Sequence, residues 1–445
     1  MYKTLLAPLV ILGSLLISTL AAAESQKLPI IYIDATTLSA KQTGLEVGRQ
    51  SKRLFPNIER RYDIHLKSTL SQSTFNDIVQ HHLPTLLQTL DRQYKEEING
   101  ISGAWQLVTN NKLGDGKLSL DEFKVLNLLP DLGYPPMGSG FGVFGRSAEN
   151  RQTLVGRNLD MSSTPQLRSL QAITVYYYKN DNVVVNIGFA GILSVVTGYN
   201  NKGLFLSLLS ARNMNPYKQF GENNIEHLHS SVFAIKKALT DKIDIKKANH
   251  ILSGKHYSAD FNFLIADKEK VEVLESSSSE HISKLRKWDS DTFQDSTSDS
   301  SQQISVVNCF ALRVLPNNCY DPNNIVRLSR FHELTKFNIK NPATLEKLSL
   351  VMLDSNKYLY EIFNTKTLQS VIYKPSNNSL YLYASSINNE KKQPPEYKVY
   401  LDIIKKKSTN FSLLSLIEKW FNWILLFFMI SIIAVFGKKN KEQNI

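Results

Sequence analysis

Serine and histidine side chains can together supply a nucleophile and its general base. The chain has nine histidines, and a serine hydroxyl activated by a histidine attacks an acyl carbon in many hydrolases. The sequence contains no G-x-S-x-G elbow, which would expose such a serine at the end of a strand. His227, His229, His250 and His256 fall in polar stretches that predict helix surfaces or loops. These residues therefore do not favour a Ser-His-Asp triad.

A segment that begins at Asn111 has the spacing of a calcium-binding loop, with Gly116 at its centre and Glu122 at its end. Leu113, however, stands where an oxygen ligand is required, and Asn111 replaces the usual first aspartate. The same residues fit the start of a helix, with Ser119 as N-cap and Glu122 completing a capping box. We favour the helix start, and we expect no metal ion here and no cofactor elsewhere.

The predicted secondary structure, which must position any site, changes along the chain from helices to strands and back. Residues 42–66 and 73–99 carry apolar side chains at helical spacing, with Pro56 and Pro84 expected to kink or split these helices. Further helices are predicted near residues 227–239 and 325–336. Short β-branched and aromatic runs, separated by Gly and Asn turns, predict strands at residues 172–178, 183–189, 203–209 and 261–266. This succession favours a layered α+β fold.

Residues 289–303 consist of Asp, Ser, Thr and Gln apart from Phe293. A segment of this composition cannot bury enough apolar surface to offset the entropy lost on ordering. We expect a disordered, solvated insertion within the main domain.

An apolar segment lies near each end of the chain. A basic start, an apolar run over residues 5–20 and the small residues Ala21 to Ala23 indicate a signal peptide at residues 1–23, with an uncleaved anchor as the alternative. Residues 420–436 predict a single transmembrane helix, joined to the body by a linker at 403–419 and followed by a lysine-containing cytoplasmic tail at 437–445. Together they predict a single-pass membrane protein whose main domain lies on the periplasmic or extracytoplasmic side.

The net charge and its distribution along the chain indicate which kinds of partner it can bind. Lys+Arg number 52 and Asp+Glu 40, for a net charge of +12, but the basic residues are dispersed. No basic stripe interleaved with aromatic residues occurs, so we expect no nucleic-acid binding. The excess of positive charge suits an anionic membrane surface instead.

Cys309 and Cys319 are the only cysteines. Their spacing does not match a metal site. In the oxidising compartment that an exported protein enters, such a pair forms a disulfide, although two buried free thiols fit the sequence as well.

Residues 156–160 (Gly-Arg-Asn-Leu-Asp) resemble the G-R-N-x-D element of the N-terminal-nucleophile (Ntn) amidases. These include the choloylglycine hydrolases and the acyl-CoA:6-aminopenicillanic acid acyltransferases. Five further segments resemble that family's motifs in the family's order, and the likeness spans about residues 28 to 402: these segments are residues 97–104, 197–204, 307–310, 327–330 and 367–375.

The resemblance implies a four-layer αββα sandwich at residues 138–402, preceded by a helical, pro-segment-like region at 24–137. In such enzymes self-cleavage frees the α-amino group of the nucleophilic residue, and that amine acts as the general base. The nucleophile attacks an amide or thioester carbonyl. The substrate implied is therefore a small-molecule N-acyl amide or acyl thioester.

Five residues of this chain match supporting positions of the family. The resemblance implies that Arg157 and Asp160 hold the nucleophile and its amine, and that Asn200 and Asn308 donate to an oxyanion or to the substrate. It implies that Arg327 is an orienting cation. From the residues alone, Asn200 also fits a turn, Asn308 a strand cap and Arg327 an exposed helix face.

The nucleophile is where this sequence departs from the family. The family spacing places the expected cysteine at Gly138. Ser139 follows it and is the candidate nucleophile, released by cleavage of the Gly138–Ser139 bond; a Gly-Ser-Gly turn without chemistry is the alternative. Cys309 replaces the histidine of the family's N-H-F segment. Two hypotheses remain: an Ntn-type amide hydrolase or acyltransferase, and a catalytically inactive relative that serves as a membrane-tethered binding or scaffold module.

Overall fold

The computed structural model describes residues 27–211, 227–241, 244–293, 301–355, 361–387, 396–404 and 420. The predicted signal peptide, the cytoplasmic tail and, apart from Trp420, the predicted membrane helix lie outside these residues. Within the described ranges, no helix combines the length and the apolar character needed to cross a membrane.

The first third of the described chain is mainly helical. Its helices are α1 (Ala40–Leu54), α2 (Ile58–Thr69), α3 (Gln72–Asp77), a π-helical turn (Ile78–His82), α4 (Leu83–Thr89), α5 (Arg92–Trp105) and α6 (Leu120–Leu128), with a 3₁₀ turn at Leu129–Leu132. Pro56 lies in the break between α1 and α2, as predicted. Pro84 does not separate two helices, because helical structure continues from α3 through the π-helical turn into α4, where Pro84 is the second residue.

Close packing joins α1 to α5. A Cβ atom at Gly44 would lie 1.9 Å from the carbonyl oxygen of Glu97, so only glycine allows this contact. The side chain of Glu97 in turn forms a buried ion pair with Lys236. The helical region is therefore fastened to the rest of the molecule by both packing and charge.

Two sheets form the centre of the molecule. Sheet I has the order β1 (Ile30–Asp34), β4 (Gln171–Tyr178), β5 (Asn182–Phe189), β6 (Thr197–Asn200), β7 (Phe205–Ser210), β8 (Phe261–Ala266), β9 (Val271–Ser277) and β10 (Ile282–Arg286). Sheet II has the order β11 (Gln303–Val306), β2 (Met137–Val143), β3 (Leu154–Asp160), β12 (Thr367–Lys374), β13 (Ser379–Ala384) and β14 (Lys398–Tyr400). Only the pairing of β1 with β4 is parallel among these strands.

Three clusters of buried apolar side chains show how the layers of the fold are stacked. The first lies between the outer face of sheet I and the helices α1 to α6, α8 (Ser231–Thr240) and α9 (Ile245–Ser253). The second lies between the two sheets. The third lies between sheet II and the helices α10 (Pro322–Leu334) and α11 (Leu345–Met352). The described residues thus stack as helix, sheet, sheet and helix, with a short helix α7 (Pro165–Arg168) between β3 and β4. The α+β class expected from the sequence is confirmed.

Two details differ from the expected organisation. The region at residues 24–137 is not purely helical, because β1 pairs with β4 at the edge of sheet I. The apolar alternation of a five-residue edge strand is too short to stand out in the sequence.

The predicted insertion at residues 289–303 is ordered at both ends. Thr292 is buried and bridges to Leu312, and Gln303 begins β11. Main-chain pairing with neighbouring segments orders these two ends, although their side chains are polar. Residues 294–300 lie outside the described part of the chain.

Candidate functional site

Strand β3 carries the Gly-Arg-Asn-Leu-Asp motif in the middle of sheet II, between β2 and β12. Side chains alternate between the two faces of a strand. Arg157 therefore points toward sheet I, and Asn158 points toward α10 and α11. The contacts agree: Arg157 bonds to β7, whereas Asn158 donates to the carbonyls of Met352 and Ile362.

Arg157 is fully buried between the sheets. Its Nε donates to Ser207 Oγ at 2.9 Å, and its Nη2 donates to the carbonyls of Leu208 at 2.9 Å and Met137 at 3.2 Å. Nη1 has no hydrogen-bond partner among the described residues. Burial lowers the pKa of Arg157 to about 9, although Asp160 opposes this shift. The guanidinium thus joins sheet I to the start of β2.

Asp160 is the last residue of β3, and its side chain lies on the other face of sheet II from that of Arg157. Its two oxygens accept hydrogen bonds of 2.7 Å from Thr367 Oγ1 and Asn364 Nδ2. Arg327 Nη1 lies 3.9 Å from Asp160 Oδ2. Burial raises the pKa of Asp160, and the positive charge of Arg327 opposes that change. Asp160 therefore serves as the counter-charge of a buried guanidinium.

Arg327 and Asn308 meet at the main chain of Gly138. Asn308 Oδ1 accepts the N–H of Gly138 at 3.1 Å, and Arg327 Nη1 donates to the carbonyl of Gly138 at 2.8 Å. Arg327 Nη2 donates to Asn308 Oδ1 at 2.9 Å and to Asn324 Oδ1 at 2.8 Å. Asn308 Nδ2 donates to the carbonyl of Ser210 on sheet I. These residues and Asp160 form what we call the Gly138 cluster: Asp160, Asn308, Asn324, Arg327 and the main chain of Gly138.

The position where the resemblance expects a cysteine has no room for a side chain. Gly138 has a φ of +129°, which L residues rarely adopt. A Cβ atom built there would lie 1.9 Å from the carbonyl oxygen of Asn158 and 2.7 Å from Arg157 Nη1. The unpartnered donor of Arg157 thus faces the space that the missing side chain would enter.

Ser139 lies on the opposite face of sheet II from Arg157. In β2 it pairs with Asn158, and directly opposed residues of antiparallel strands share a face. Phe141, two residues further on, stacks on Phe331 of α10 with ring centres 5.8 Å apart. Ser139 is fully buried, and its Oγ has no hydrogen-bond partner among the described residues. The structure does not bring this hydroxyl together with the guanidinium of Arg157.

Asn200 lies apart from the Gly138 cluster, at the end of β6. Its Oδ1 accepts the main-chain N–H groups of Lys202 and Leu204, and its Nδ2 donates to the carbonyl of Leu239. None of these partners belongs to the cluster. The side chain forms the turn between β6 and β7, which was the alternative interpretation of this residue.

Several polar residues of the site were not identified from the sequence. Asn158 lies within the motif itself, but the resemblance gives its amide no role. Thr367 begins the family-like segment 367–375 without a role of its own there, and no sequence signal marks Asn324 and Asn364. Ser207 lies in β7, a strand whose residues are all buried, and a polar residue in such a strand indicates a hydrogen-bond partner.

The candidate calcium loop is a structural element. Ser119 and Glu122 form the expected capping box at the start of α6. The N–H groups of Gly114 and Gly116 point toward the carboxylate of Asp63, so this loop surrounds an anion rather than a cation. Across the described residues, no group of three or more His, Cys, Asp or Glu side chains is arranged to hold a metal ion.

Cys309 and Cys319 form a disulfide, which decides between the two alternatives that the sequence leaves open. The bridge closes the loop between Asn308 and α10, which carries Arg327. It therefore joins the two segments that supply side chains to the Gly138 cluster.

Comparison with known proteins finds similar solved structures but no similar sequence family. No family model matches this sequence, and no curated protein matches it. Among solved structures, an N-acylethanolamine-hydrolyzing acid amidase ortholog from Caenorhabditis elegans is 16% identical, with 53% of this chain and 92% of that chain covered and a TM-score of 0.39. Penicillin V acylase from Agrobacterium tumefaciens is 11% identical, with 56% and 83% covered and a TM-score of 0.31. A variant of the conjugated bile acid hydrolase from Clostridium perfringens is 16% identical, with 59% and 96% covered and a TM-score of 0.26. At these identities and TM-scores, the likenesses carry no conclusion about this chain.

Proposed function

We propose that this chain is a catalytically inactive relative of the Ntn amidases and serves as a binding or scaffold module. One observation supports this most directly. The resemblance makes Asn308 a donor to an oxyanion or substrate and Arg327 an orienting cation, but these two side chains bond to the N–H and the carbonyl of Gly138. Groups whose hydrogen bonds hold the main chain of Gly138 are not free to stabilise a transition state.

The surroundings of Gly138 support the same proposal. Position 138 has the φ of a glycine, and a side chain there would overlap the carbonyl oxygen of Asn158. Ser139 offers a hydroxyl, but on the face of the sheet that packs against α10. The resemblance assigns Arg157 to hold the nucleophile, but strand β2 places the Ser139 hydroxyl on the other face of the sheet from this guanidinium.

The cellular location is part of this proposal. The apolar segments at residues 1–23 and 420–436 lead us to propose export of the body and a single membrane span, with the body on the extracytoplasmic side. Protease treatment of intact cells or spheroplasts tests this: an accessible body supports it, and a protected body contradicts it. Flotation with the membrane fraction after carbonate washing tests the span separately.

A second candidate function rests on the unpartnered Ser139 hydroxyl, because buried polar groups without partners often have a functional role. In this alternative, cleavage of the Gly138–Ser139 bond frees the α-amine of Ser139. That amine takes the hydroxyl proton as Oγ attacks the carbonyl carbon of an N-acyl amide. The C–N bond then breaks, the proton passes to the leaving amine, and water or a second amine accepts the acyl group.

Intact mass and N-terminal sequencing of the mature protein separate the two functions. We expect one uncut body and no second chain that starts at Ser139. A fragment with Ser139 at its N-terminus would contradict the inactive assignment. The matched variant Ser139→Ala should then remain uncut, because it lacks the hydroxyl.

A substrate panel provides the second test. Purified protein should release no amine from N-acyl amino acids or bile-acid conjugates above the level of the Ser139→Ala variant. Turnover by the wild type that the variant lacks would establish the hydrolase. Turnover by both proteins would indicate a contaminating enzyme, and mass analysis would then decide alone.

A further inference from the structure

Basic side chains are concentrated on three helices of the outer layer, α1, α2 and α5. These helices contact one another: α1 packs against α5 at Gly44, and Tyr62 of α2 stacks on Trp105 of α5 with ring centres 6.0 Å apart. The charged side chains of these helices that are not buried comprise nine cations and three carboxylates: Lys41, Arg49, Lys52, Arg53, Arg60, Arg61, Lys67, Arg92 and Lys95, with Glu46, Glu59 and Glu96. We call this surface the basic helical face.

Buried groups do not cancel the positive charge of this face. Asp63 and Glu97 are the remaining carboxylates of the three helices, and both are buried. Asp63 accepts the N–H groups of Gly114 and Gly116, and Glu97 is paired with Lys236. Even when Asp63 is counted, five positive charges remain, out of a net charge of +12 for the whole chain.

Helix α1 shows how the face is built. Lys41, Leu45, Arg49 and Arg53 follow one another at every fourth residue, and residues four apart lie on the same side of a helix. All four are exposed, whereas the opposite side of the helix, which includes Val47, is buried. Helix α1 therefore presents a row of three cations and one apolar side chain to solvent.

Two ion pairs on this face are exposed. Arg49 lies 3.4 Å from Glu46 and Arg92 lies 2.8 Å from Glu96, and these arginine side chains are 65% and 91% exposed. Solvent screens pairs of this kind, so each contributes little to stability. Both guanidinium groups can therefore exchange these partners for phosphate oxygens, to which arginine donates two hydrogen bonds at once.

We propose that the basic helical face rests on the surface of an anionic phospholipid bilayer. Lysine and arginine side chains near such a surface are attracted to it, and the exposed Leu45 and Leu54 can enter the boundary between headgroups and acyl chains. Nucleic acid suits this face less well, because the aromatic side chains Tyr62, Tyr94 and Trp105 of these helices are buried and offer no stacking surface. This inference rests on the membrane-anchored location proposed above, which holds the body beside a bilayer.

Amine labelling of the full-length protein in nanodiscs tests the proposal. Labelling of Lys41, Lys67 and Lys95 is followed by mass spectrometry, in discs of phosphatidylcholine alone and in discs that also contain phosphatidylglycerol. We expect phosphatidylglycerol to slow the labelling of these lysines by about threefold or more, and high salt to restore it. Lys340, an exposed lysine after α10, should be labelled equally in both kinds of disc.

Charge reversal tests whether this face makes the contact. The triple variant Lys41→Glu, Arg49→Glu, Arg53→Glu should abolish the protection of Lys67 and Lys95 by phosphatidylglycerol. Should this variant fail to fold, the milder triple variant Lys41→Gln, Arg49→Gln, Arg53→Gln takes its place and should weaken the same protection.

The matched control is the triple variant Lys246→Glu, Lys247→Glu, Lys340→Glu, which changes the net charge equally at exposed positions outside the face. It should keep the protection. Equal labelling in both kinds of disc would overturn the proposal, as would protection that survives in the first variant or is lost equally in the control. Protection by dissolved RNA with none by phosphatidylglycerol would overturn lipid as the partner.

The same experiment separates this inference from the proposed location. Protein that resists carbonate washing but shows no protection by phosphatidylglycerol would contradict the basic helical face alone. Salt-sensitive protection without carbonate-resistant attachment would contradict the membrane span alone.

Discussion

Arg327 Nη1 donates a 2.8 Å hydrogen bond to the main-chain carbonyl of Gly138. The same guanidinium also donates to Asn308 Oδ1, which accepts the N–H of Gly138. Both polar groups of one glycine are therefore held by two buried side chains. A guanidinium and an amide thus fix the start of a strand, and this arrangement supports the inactive function proposed above.

Replacing Gly138 with alanine should destabilise the protein by at least about 2 kcal/mol. The added Cβ would meet the carbonyl oxygen of Asn158 at 1.9 Å, at a φ that alanine rarely adopts. Urea denaturation measures the change. Gly103→Ala is the control, because no atom lies within 4 Å of its added Cβ. Since Gly103 lies in helix α5, its replacement should stabilise by up to about 1 kcal/mol. Equal stability of wild type and Gly138→Ala would refute the steric argument.

Arg327→Met should cost about 3–5 kcal/mol, because it leaves the buried carboxylate of Asp160 without its cation. Arg313→Met offers the comparison, since Arg313 pairs with Asp291 at the surface. An exposed pair of this kind contributes below about 1 kcal/mol. Thermal unfolding of both variants should therefore show a large fall only for Arg327→Met, and similar falls would mean that the buried charge is not needed.

Glu122 should make stability depend on pH. Burial raises its pKa from 4.5 to about 7 in the folded protein, so the folded state holds a proton that the unfolded state releases. Its contribution to stability is full below pH 4.5 and is lost as the pH rises through 7. Glu122→Gln retains the side-chain oxygen for the Ser119 N–H and carries no charge.

The variant should therefore gain stability relative to wild type at pH 8 and gain less at pH 5, as read from urea midpoints. Glu149→Gln, at an exposed position, should show the same difference from wild type at both pH values. A Glu122→Gln difference that does not change with pH would show that this carboxyl titrates as it does in the unfolded chain.

Removing the disulfide with the double variant Cys309→Ser, Cys319→Ser should cost about 2–3 kcal/mol, because the bridge restricts the unfolded chain. Wild type treated with dithiothreitol should unfold at the temperature of the double variant. The variant itself should not respond to dithiothreitol. An unchanged unfolding temperature of the wild type under reduction would contradict a contribution of the bridge.

The sequence by itself determined the element types and the layered α+β class, because helical and strand periodicities are local properties. Pro56 marked the break between α1 and α2, and Ser119 with Glu122 marked the start of α6. Motif order identified four residues that the fold brings to the start of β2: Arg157, Asp160, Asn308 and Arg327.

Only the tertiary structure decided which atoms face one another. The register of β2 on β3 places Ser139 opposite Asn158 and on the other face from Arg157, and a shift of one residue would reverse that placement. Two partners of Arg327, the carbonyl of Gly138 in β2 and the side chain of Asn308 before the disulfide, come from other segments of the chain, whereas Asn324 lies in the same helix. Motifs in the sequence identify the candidate residues, whereas strand register and long-range packing determine which atoms their side chains can contact.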